Sequence, residues 1–245
     1  MYIVIPMAGL SNRFFNAGYK QPKYMLPIDG KTMFEFTIGS FKNYFNNANF
    51  IFVIRDVFDT FSFVKSKIKQ LGISNASIKV LNHETEGQAE TVFWAVNEIL
   101  DKREELLIFN IDTYRPNFQL PEIAKFCNGY VEVFNGEGEH WSFAEAIDDN
   151  STIVKRTTEK QRVSDLCSTG LYYFKEIALF EETYLYNKKN NIRVNNEFYV
   201  APLYNFLIEN GYKIHYHLIN NNEVEFLGTP EEYTILINKF KHNNL

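Results

Sequence analysis

The sequence predicts a single three-layer α/β/α domain built on a mixed, mainly parallel sheet. Three observations predict it. Short apolar runs alternate with stretches of helical periodicity through the first 120 residues, the pattern of strands laid side by side with helices on both faces. The runs themselves, such as Ile3-Val4-Ile5, lack polar alternation, as strands covered on both faces do. Beyond Pro121 several strand signals follow one another, separated by Asn, Gly and Asp turns, which makes the second half β-rich. At 245 residues the chain suits one large domain better than two small ones.

Taken in order, Ile3 to Ile5 is the first strand, stopped by Pro6 and Gly9. The irregular segment that follows, as far as Lys31, holds Ser11, Asn12, Arg13, Lys20 and Lys23. Small residues there let backbone approach a ligand and the cations supply charge, so a polyanion fits. A basic surface loop is the alternative reading of the same residues. From Thr32 to Tyr44 the apolar residues Met33, Phe34, Phe36, Ile38 and Phe41 recur at threes and fours, which predicts an amphipathic helix. Phe50 to Ile54 is a buried strand, Phe58 to Leu71 a helix stopped by Gly72, and Ile78 to Leu81 a third strand.

His83 to Leu100, HETEGQAETVFWAVNEIL, is a polar glycine-containing turn followed by a helix whose amino end points back towards the first loop. Ligands of such sheets gather at the carboxyl ends of the strands. Glu105 to Ile111 is the fourth strand and ends in Asp112. A carboxylate at that edge suits magnesium, which takes one or two carboxylates plus phosphate oxygens and water; an aspartate that simply forms the turn is the alternative. Tyr130 to Phe134, Trp141 to Ile147 and Ile153 to Arg156 are short strands. Val200 to Glu209 is helical with Gly211 as its stop, and Thr229 caps a last helix before Pro230.

The formal net charge is −5, which argues against a nucleic-acid partner and requires an anionic ligand to be met by a local cluster such as Arg13, Lys20 and Lys23. Cys127 and Cys167 stand far apart without metal spacing and read as reduced core residues. With no basic-then-apolar leader and no apolar run near ~20 residues, the expectation is a cytoplasmic protein with no membrane partner.

PMAGLSNRF followed by QPKYMLPIDGKTMFEF resembles the signature of the sugar-phosphate nucleotidyltransferases, and five motifs in the family's order extend the resemblance from Pro6 to Tyr233. It implies the nucleotide-diphospho-sugar transferase-like, Rossmann-like fold, with residues 1–120 binding nucleotide and residues 121–245 binding an acceptor. By position it implies that Arg13, Lys23 and Asp112 are catalytic. Met7, Ala8 and Gly9, where the family has a double glycine, would contact nucleotide together with Thr85, Gly87 and Gln88. FNIDTYRP resembles the metal-binding turn, which implies Mg²⁺ on Asp112. TEKQRVSDLCSTGLYYF resembles the acceptor segment, which implies Glu159 and Lys160, with Ser168, Thr169 and Gly170, at the acceptor; Arg162 adds a cation there, and Glu197 matches the family's Glu-Phe-Tyr. Many relatives place a second metal-binding aspartate where Phe226 stands here. Neighbouring strand residues face opposite ways, so Glu225 serves only if the backbone bulges or turns.

The implied reaction is attack of an acceptor phosphate on the α-phosphorus of a nucleoside triphosphate, releasing pyrophosphate. WSFAEAID, EKQRVSDLCSTGLYYF and the compact length resemble the small capsule-associated members, which implies CTP as donor and L-glutamine phosphate as acceptor, giving CDP-L-glutamine for capsular polysaccharide modification. Arg162 and Glu197 would then meet the zwitterion's carboxylate and ammonium. The alternatives are a sugar 1-phosphate used with UTP, GTP or dTTP, or a non-catalytic nucleotide-binding regulator. Such enzymes often form homodimers. A glycosyltransferase on this general fold would carry a paired Asp-x-Asp, against the Ile111-Asp112-Thr113 found here.

Overall fold

The computed structural model describes residues 1–243. β1 (Tyr2–Pro6) is followed by a short α1 (Asn12–Asn16), a hairpin of β2 (Pro27–Ile28) and β3 (Lys31–Thr32), and α2 (Met33–Gly39). Then come β4 (Asn49–Ile54), α3 (Thr60–Leu71), β5 (Ala76–Val80), α4 (Gln88–Val96) and β6 (Leu106–Phe109). After β7 (Thr113–Tyr114) the chain turns β-rich, with β8 (Gly129–Asn135), β9 (Ser142–Ala146), β10 (Val154–Glu159) and β11 (Leu166–Phe174). α5 (Ile177–Lys189), α6 (Tyr204–Glu209), β12 (Ile214–Leu218), β13 (Glu225–Phe226) and α7 (Pro230–Asn243) complete it.

One nine-stranded sheet carries the order β10-β9-β11-β6-β1-β4-β5, with β8 on β11 and β12 on β8. Pairing is parallel through β6-β1-β4-β5 and between β12 and β8, and antiparallel around β11. β1 explains its own unalternated sequence. Val4 packs into one core and Ile3 and Ile5 into the core on the opposite face, so both sides of the strand are covered. The first core includes α4, α5 and α6 residues; the second includes Phe34 and Ile38 of α2 and Val64 of α3. These are the three layers the alternation predicts. Each such buried side chain contributes roughly 1.5–3 kcal/mol.

Several element boundaries differ from those read in the sequence. α2 ends at Gly39 and gives way to a 3₁₀ turn at Lys42–Tyr44, because Gly39 is a poor helix former and the Ser40 hydroxyl is used to accept the Arg115 N–H. α3 begins at Thr60 rather than Phe58, since Phe58 and Asp59 both take left-handed backbone, φ 55°. The β5 strand begins at Ala76. Pro202 sits in a 3₁₀ turn at Ala201–Leu203 that precedes α6, because a proline there withdraws a backbone donor. Cys127 and Cys167 are buried and free, and burial pushes the Cys127 thiol up to about 11. Among the described residues no helix is long and apolar enough to cross a membrane.

Candidate active site

β1 lies between β4 and β6, so the chain leaves it on one side and returns on the other. In a parallel sheet this opens a crevice at the strand ends. A cavity of about 630 Å³ lies there, bounded by the loop from Pro6 to Arg13, by Arg55 after β4, by Asn110 to Asp112 after β6, and by Ser168 to Gly170 of β11.

Its centre is an ion pair. Lys23 Nζ donates to Asp112 Oδ2 at 2.5 Å, 89 residues apart in sequence. Both ends are fixed locally. The Lys23 N–H donates to Ser11 Oγ at 3.2 Å, and the neighbouring Tyr24 is buried with its hydroxyl 2.8 Å from Thr60 Oγ1. Asp112 follows β6, and its carbonyl accepts the Leu227 N–H at 2.8 Å. Arg13 is exposed on the cavity wall. Met7 remains tied to β4 through its N–H on the Val53 carbonyl at 2.9 Å, whereas Gly9 has no heavy atom within 4 Å of where a Cβ would stand.

On the β4 side, Thr85, Gly87 and Gln88 line the cavity. Thr85 Oγ1 lies 2.6 Å from Thr91 Oγ1, and the Gln88 amide donates to Asn110 Oδ1. Gly87 has φ 123°, and a Cβ on it would stand 2.6 Å from the Phe198 carbonyl oxygen. Arg55 and Glu84, paired at 2.8 Å, also line this side. Sequence reasoning passed over both, although their positions after strands β4 and β5 offered the signal that singled out Asp112.

On the β11 side, Ser168, Thr169, Gly170, Glu159 and Glu197 reach the cavity. Gly170 has φ 86°, and a Cβ there would collide with the Asn110 amide. Behind it the Thr169 hydroxyl donates to Glu132 Oε1 at 3.1 Å, which also accepts from Arg115 Nε at 3.1 Å. Burial raises the Glu132 carboxyl pKa against the pull of Arg115. This buried support was not read from the sequence. Glu159 is buried and accepts from the Ser142 hydroxyl. Burial pushes its carboxyl up, Ser142 and Lys160 oppose this, and the charge of Glu197 adds to it.

Three residues expected at the site point elsewhere. Lys160 Nζ donates to Tyr199 OH at 2.6 Å and lies 4.6 Å from that ring's centroid, so Tyr199, not the ammonium, forms the wall. Arg162 donates to the Gly136 and Gly138 carbonyls at 2.9 Å each and pairs with Asp165. Its guanidinium therefore braces the turn before β9. Glu225 corrects the expected second metal ligand: no bulge turns it inward, Phe226 takes the cavity-facing position, and Glu225 instead pairs with Lys239 at 2.7 and 2.9 Å.

A second carboxylate is nonetheless present. Glu232, in the first turn of α7, lines the cavity. A Cβ on Gly228 would stand 3.1 Å from Asp112 Oδ2 and 3.5 Å from Glu232 Oε2, so the two carboxylates share the space that this glycine leaves open. Among the described residues no three His, Cys, Asp or Glu side chains form a metal-holding group. Two carboxylates with room for phosphate oxygens and water are the donor set that suits Mg²⁺. Glu232 is held by its cap, with Oε2 accepting the Thr229 N–H at 2.9 Å and the Glu232 N–H donating to Thr229 Oγ1 at 3.2 Å.

No protein-family model matches the chain. It is 48% identical to the nucleoside-diphosphate-sugar pyrophosphorylase from Vibrio cholerae RC9, whose crystal structure superposes with a TM-score of 0.91 over 96% of this chain and 99% of that one. The inositol-1-phosphate CTP transferase from T. maritima shares the fold, with a TM-score of 0.72 at 13% identity over 98% of this chain and 95% of that one. The bifunctional protein GlmU of Methanococcus maripaludis is 26% identical over 175 residues, 70% of this chain. The chain spans 39% of the length of that curated relative.

Proposed function

Because this chain belongs to the nucleotidyltransferase family of nucleoside-diphosphate-sugar pyrophosphorylases, we infer that it moves a nucleotidyl group from a nucleoside triphosphate to a small phosphorylated acceptor and releases pyrophosphate. The observation that carries this reading is the Lys23–Asp112 pair at the strand-end crevice between β1 and β6. No covalent intermediate is needed. An acceptor phosphate oxygen attacks the α-phosphorus in line, and the protein's part is positioning and charge neutralisation.

Arg13 and Lys23 meet the triphosphate. Gly9 lets backbone come close to it, Gly87 lets its turn pack against the Phe198 backbone, and Gln88, oriented by Asn110, offers a donor and an acceptor to the nucleotide. Asp112 and Glu232 would hold Mg²⁺, which when bound neutralises charge across the phosphates. Lys23, paired with Asp112 in this structure, would stabilise the leaving pyrophosphate with its ammonium. Residues of β11, β9 and β10 take the acceptor.

CTP is the favoured donor, on the resemblance to the small capsule-associated members, and this makes the protein a cytidylyltransferase of capsule biosynthesis. L-glutamine phosphate is the named acceptor that this resemblance puts forward. With Arg162 turned away, Glu197 and Glu159 remain to meet its ammonium. A sugar 1-phosphate with UTP, GTP or dTTP is the second reading, favoured by the 48% identity to a nucleoside-diphosphate-sugar pyrophosphorylase.

A thermal-shift panel of CTP, UTP, GTP and dTTP with Mg²⁺, followed by pyrophosphate release, tests the reading. A ligand at about 100 times its Kd adds roughly 2.7 kcal/mol of stability, a shift of several degrees. Lys23→Ala and Asp112→Asn should each lower turnover by about 100-fold or more. Near-wild-type turnover in both variants refutes the assignment, and stabilisation by a nucleotide other than CTP removes the cytidylyltransferase reading alone.

A further inference from the structure

We propose that Tyr233, in the first turn of α7, is a positioning residue that aims the Arg13 guanidinium at the triphosphate, acting through the ring of Phe14. This rests on the nucleotidyl-transfer reading above.

α1 cannot hold Arg13 in place by itself. It is 5 residues long, Ser11 before it takes left-handed backbone at φ 56°, and no side chain caps it. A helix of that length forms too few hydrogen bonds to offset the cost of nucleating it. Arg13 is exposed, Phe15 stacks on Phe58, which is exposed as well, and Phe14 is the side chain that α1 buries. Successive helix positions point about 100° apart. Fixing the Phe14 ring therefore fixes the direction in which Arg13 leaves the helix.

Two tyrosines hold that ring. Its centroid lies 5.4 Å from that of Tyr19 and 6.1 Å from that of Tyr233, and the tyrosine centroids are 5.7 Å apart, each pair edge-to-face, a geometry that aromatic pairs favour. Tyr19 belongs to the same loop, and its N–H donates to the Phe14 carbonyl at 3.1 Å, so it moves with α1. Tyr233 is the member supplied by another element. It is buried, and its hydroxyl donates to the Pro27 carbonyl at 2.7 Å, which ties the ring to the hairpin that follows Lys23. The rings pack with Leu26, Met33 and Leu236 in a small core separate from the two that cover the sheet. Because Tyr233 directly follows Glu232, one turn of α7 presents a carboxylate to the crevice and an anchor to the helix that carries Arg13.

The test is the Kd of the full chain for the Mg²⁺ complex of whichever of CTP, UTP, GTP and dTTP gives the largest thermal shift, measured by calorimetry, so that no acceptor is needed. Arg13→Ala removes a charge-assisted contact and should weaken binding about 10-fold or more. Tyr233→Leu, which keeps an apolar side chain in the core, should weaken it about 5-fold or more, and in the Arg13→Ala background the same substitution should change it less than about 2-fold. Tyr233→Phe keeps the ring and should bind within about 3-fold of wild type. Phe14→Leu reaches the same contact from the α1 side and should repeat the pattern of Tyr233→Leu, which keeps the test decisive where Tyr233→Leu fails to fold. Wild-type affinity in the leucine variants, or a loss that persists undiminished in the absence of Arg13, overturns the inference while nucleotidyl transfer stands. No binding of any nucleotide by the wild type overturns both.

Discussion

Two glycines beside the proposed nucleotide site should respond to the same substitution in opposite ways. Gly87 has φ 123°, and an added Cβ would stand 2.6 and 2.7 Å from the Phe198 carbonyl oxygen and nitrogen. Those atoms cannot retreat cheaply, because Phe198 N–H donates to the Glu86 carbonyl at 2.7 Å and the Ala89 N–H donates to the Phe198 carbonyl at 2.9 Å. Backbone strain and overpacking of this kind each cost about 1–3 kcal/mol. Gly87→Ala should therefore lose about 2–6 kcal/mol, and at roughly 2–4 °C per kcal/mol for a chain of this size the Tm should fall by roughly 4–24 °C. Gly9 has open space where its Cβ would stand. Gly9→Ala should keep its stability within about 0.5 kcal/mol and lose nucleotide affinity by about 10-fold, as the methyl enters space the ligand uses. Differential scanning fluorimetry with and without nucleotide measures both. A Gly87→Ala protein that melts with the wild type, or a Gly9→Ala protein with an undiminished nucleotide shift, refutes the reasoning.

Two further substitutions follow from the carboxylates. Glu232→Gln keeps an acceptor for the Thr229 N–H, so its Tm should stay near wild type while Mn²⁺ affinity, read by electron paramagnetic resonance in the presence of nucleotide, falls about 10-fold or more; Glu225→Gln, which faces Lys239, should bind Mn²⁺ as the wild type does. Glu35 gives a pH dependence. Burial pushes its carboxyl up, but Lys67 at 2.9 Å and the Thr32 N–H and hydroxyl at 2.7 and 2.8 Å outweigh this and hold it below the ordinary 4.5. A depressed folded pKa contributes stability above the unfolded value that is lost as pH falls through the folded one. Glu35→Gln should accordingly melt lower than wild type at pH 7, with the gap closing below about pH 4.5, and a gap that is constant from pH 7 to pH 3 would sink this account.

The residues that were legible in the sequence are those whose position alone aims them. Asp112 follows β6, which is buried at every position, and the crevice at strand ends collects whatever comes next. The layered fold was legible for the same reason, since apolar runs with no alternation have to be covered on both faces. The β12–β8 parallel pairing and the split of β11 between β6 and β8 were not, because no local pattern fixes which strand a β-rich half pairs with. Arg162 and Lys160 were misread for a different reason. Long cations in turns choose among nearby carbonyls, carboxylates and rings, and that choice is made by turn geometry that residue type does not encode.

Glu232 is the instructive case, because a correct local explanation concealed it. An acidic residue three positions after a helix-capping threonine satisfies a reciprocal cap, and Thr229 and Glu232 do form that cap. The sequence therefore offered no surplus to explain. Yet capping fixes where the side chain lies as well as satisfying an N–H, and here it holds the carboxylate beside the space that Gly228 leaves open next to Asp112. Phe226 occupies the strand position where the resemblance leads one to expect an aspartate, and the adjacent Glu225 faces outward because neighbouring strand residues alternate. A carboxylate reaching in from α7 approaches the same space without depending on strand register. The cap would thus supply the preorganisation that the proposed metal ligand needs, with the local role and the proposed role resting on the same hydrogen bonds.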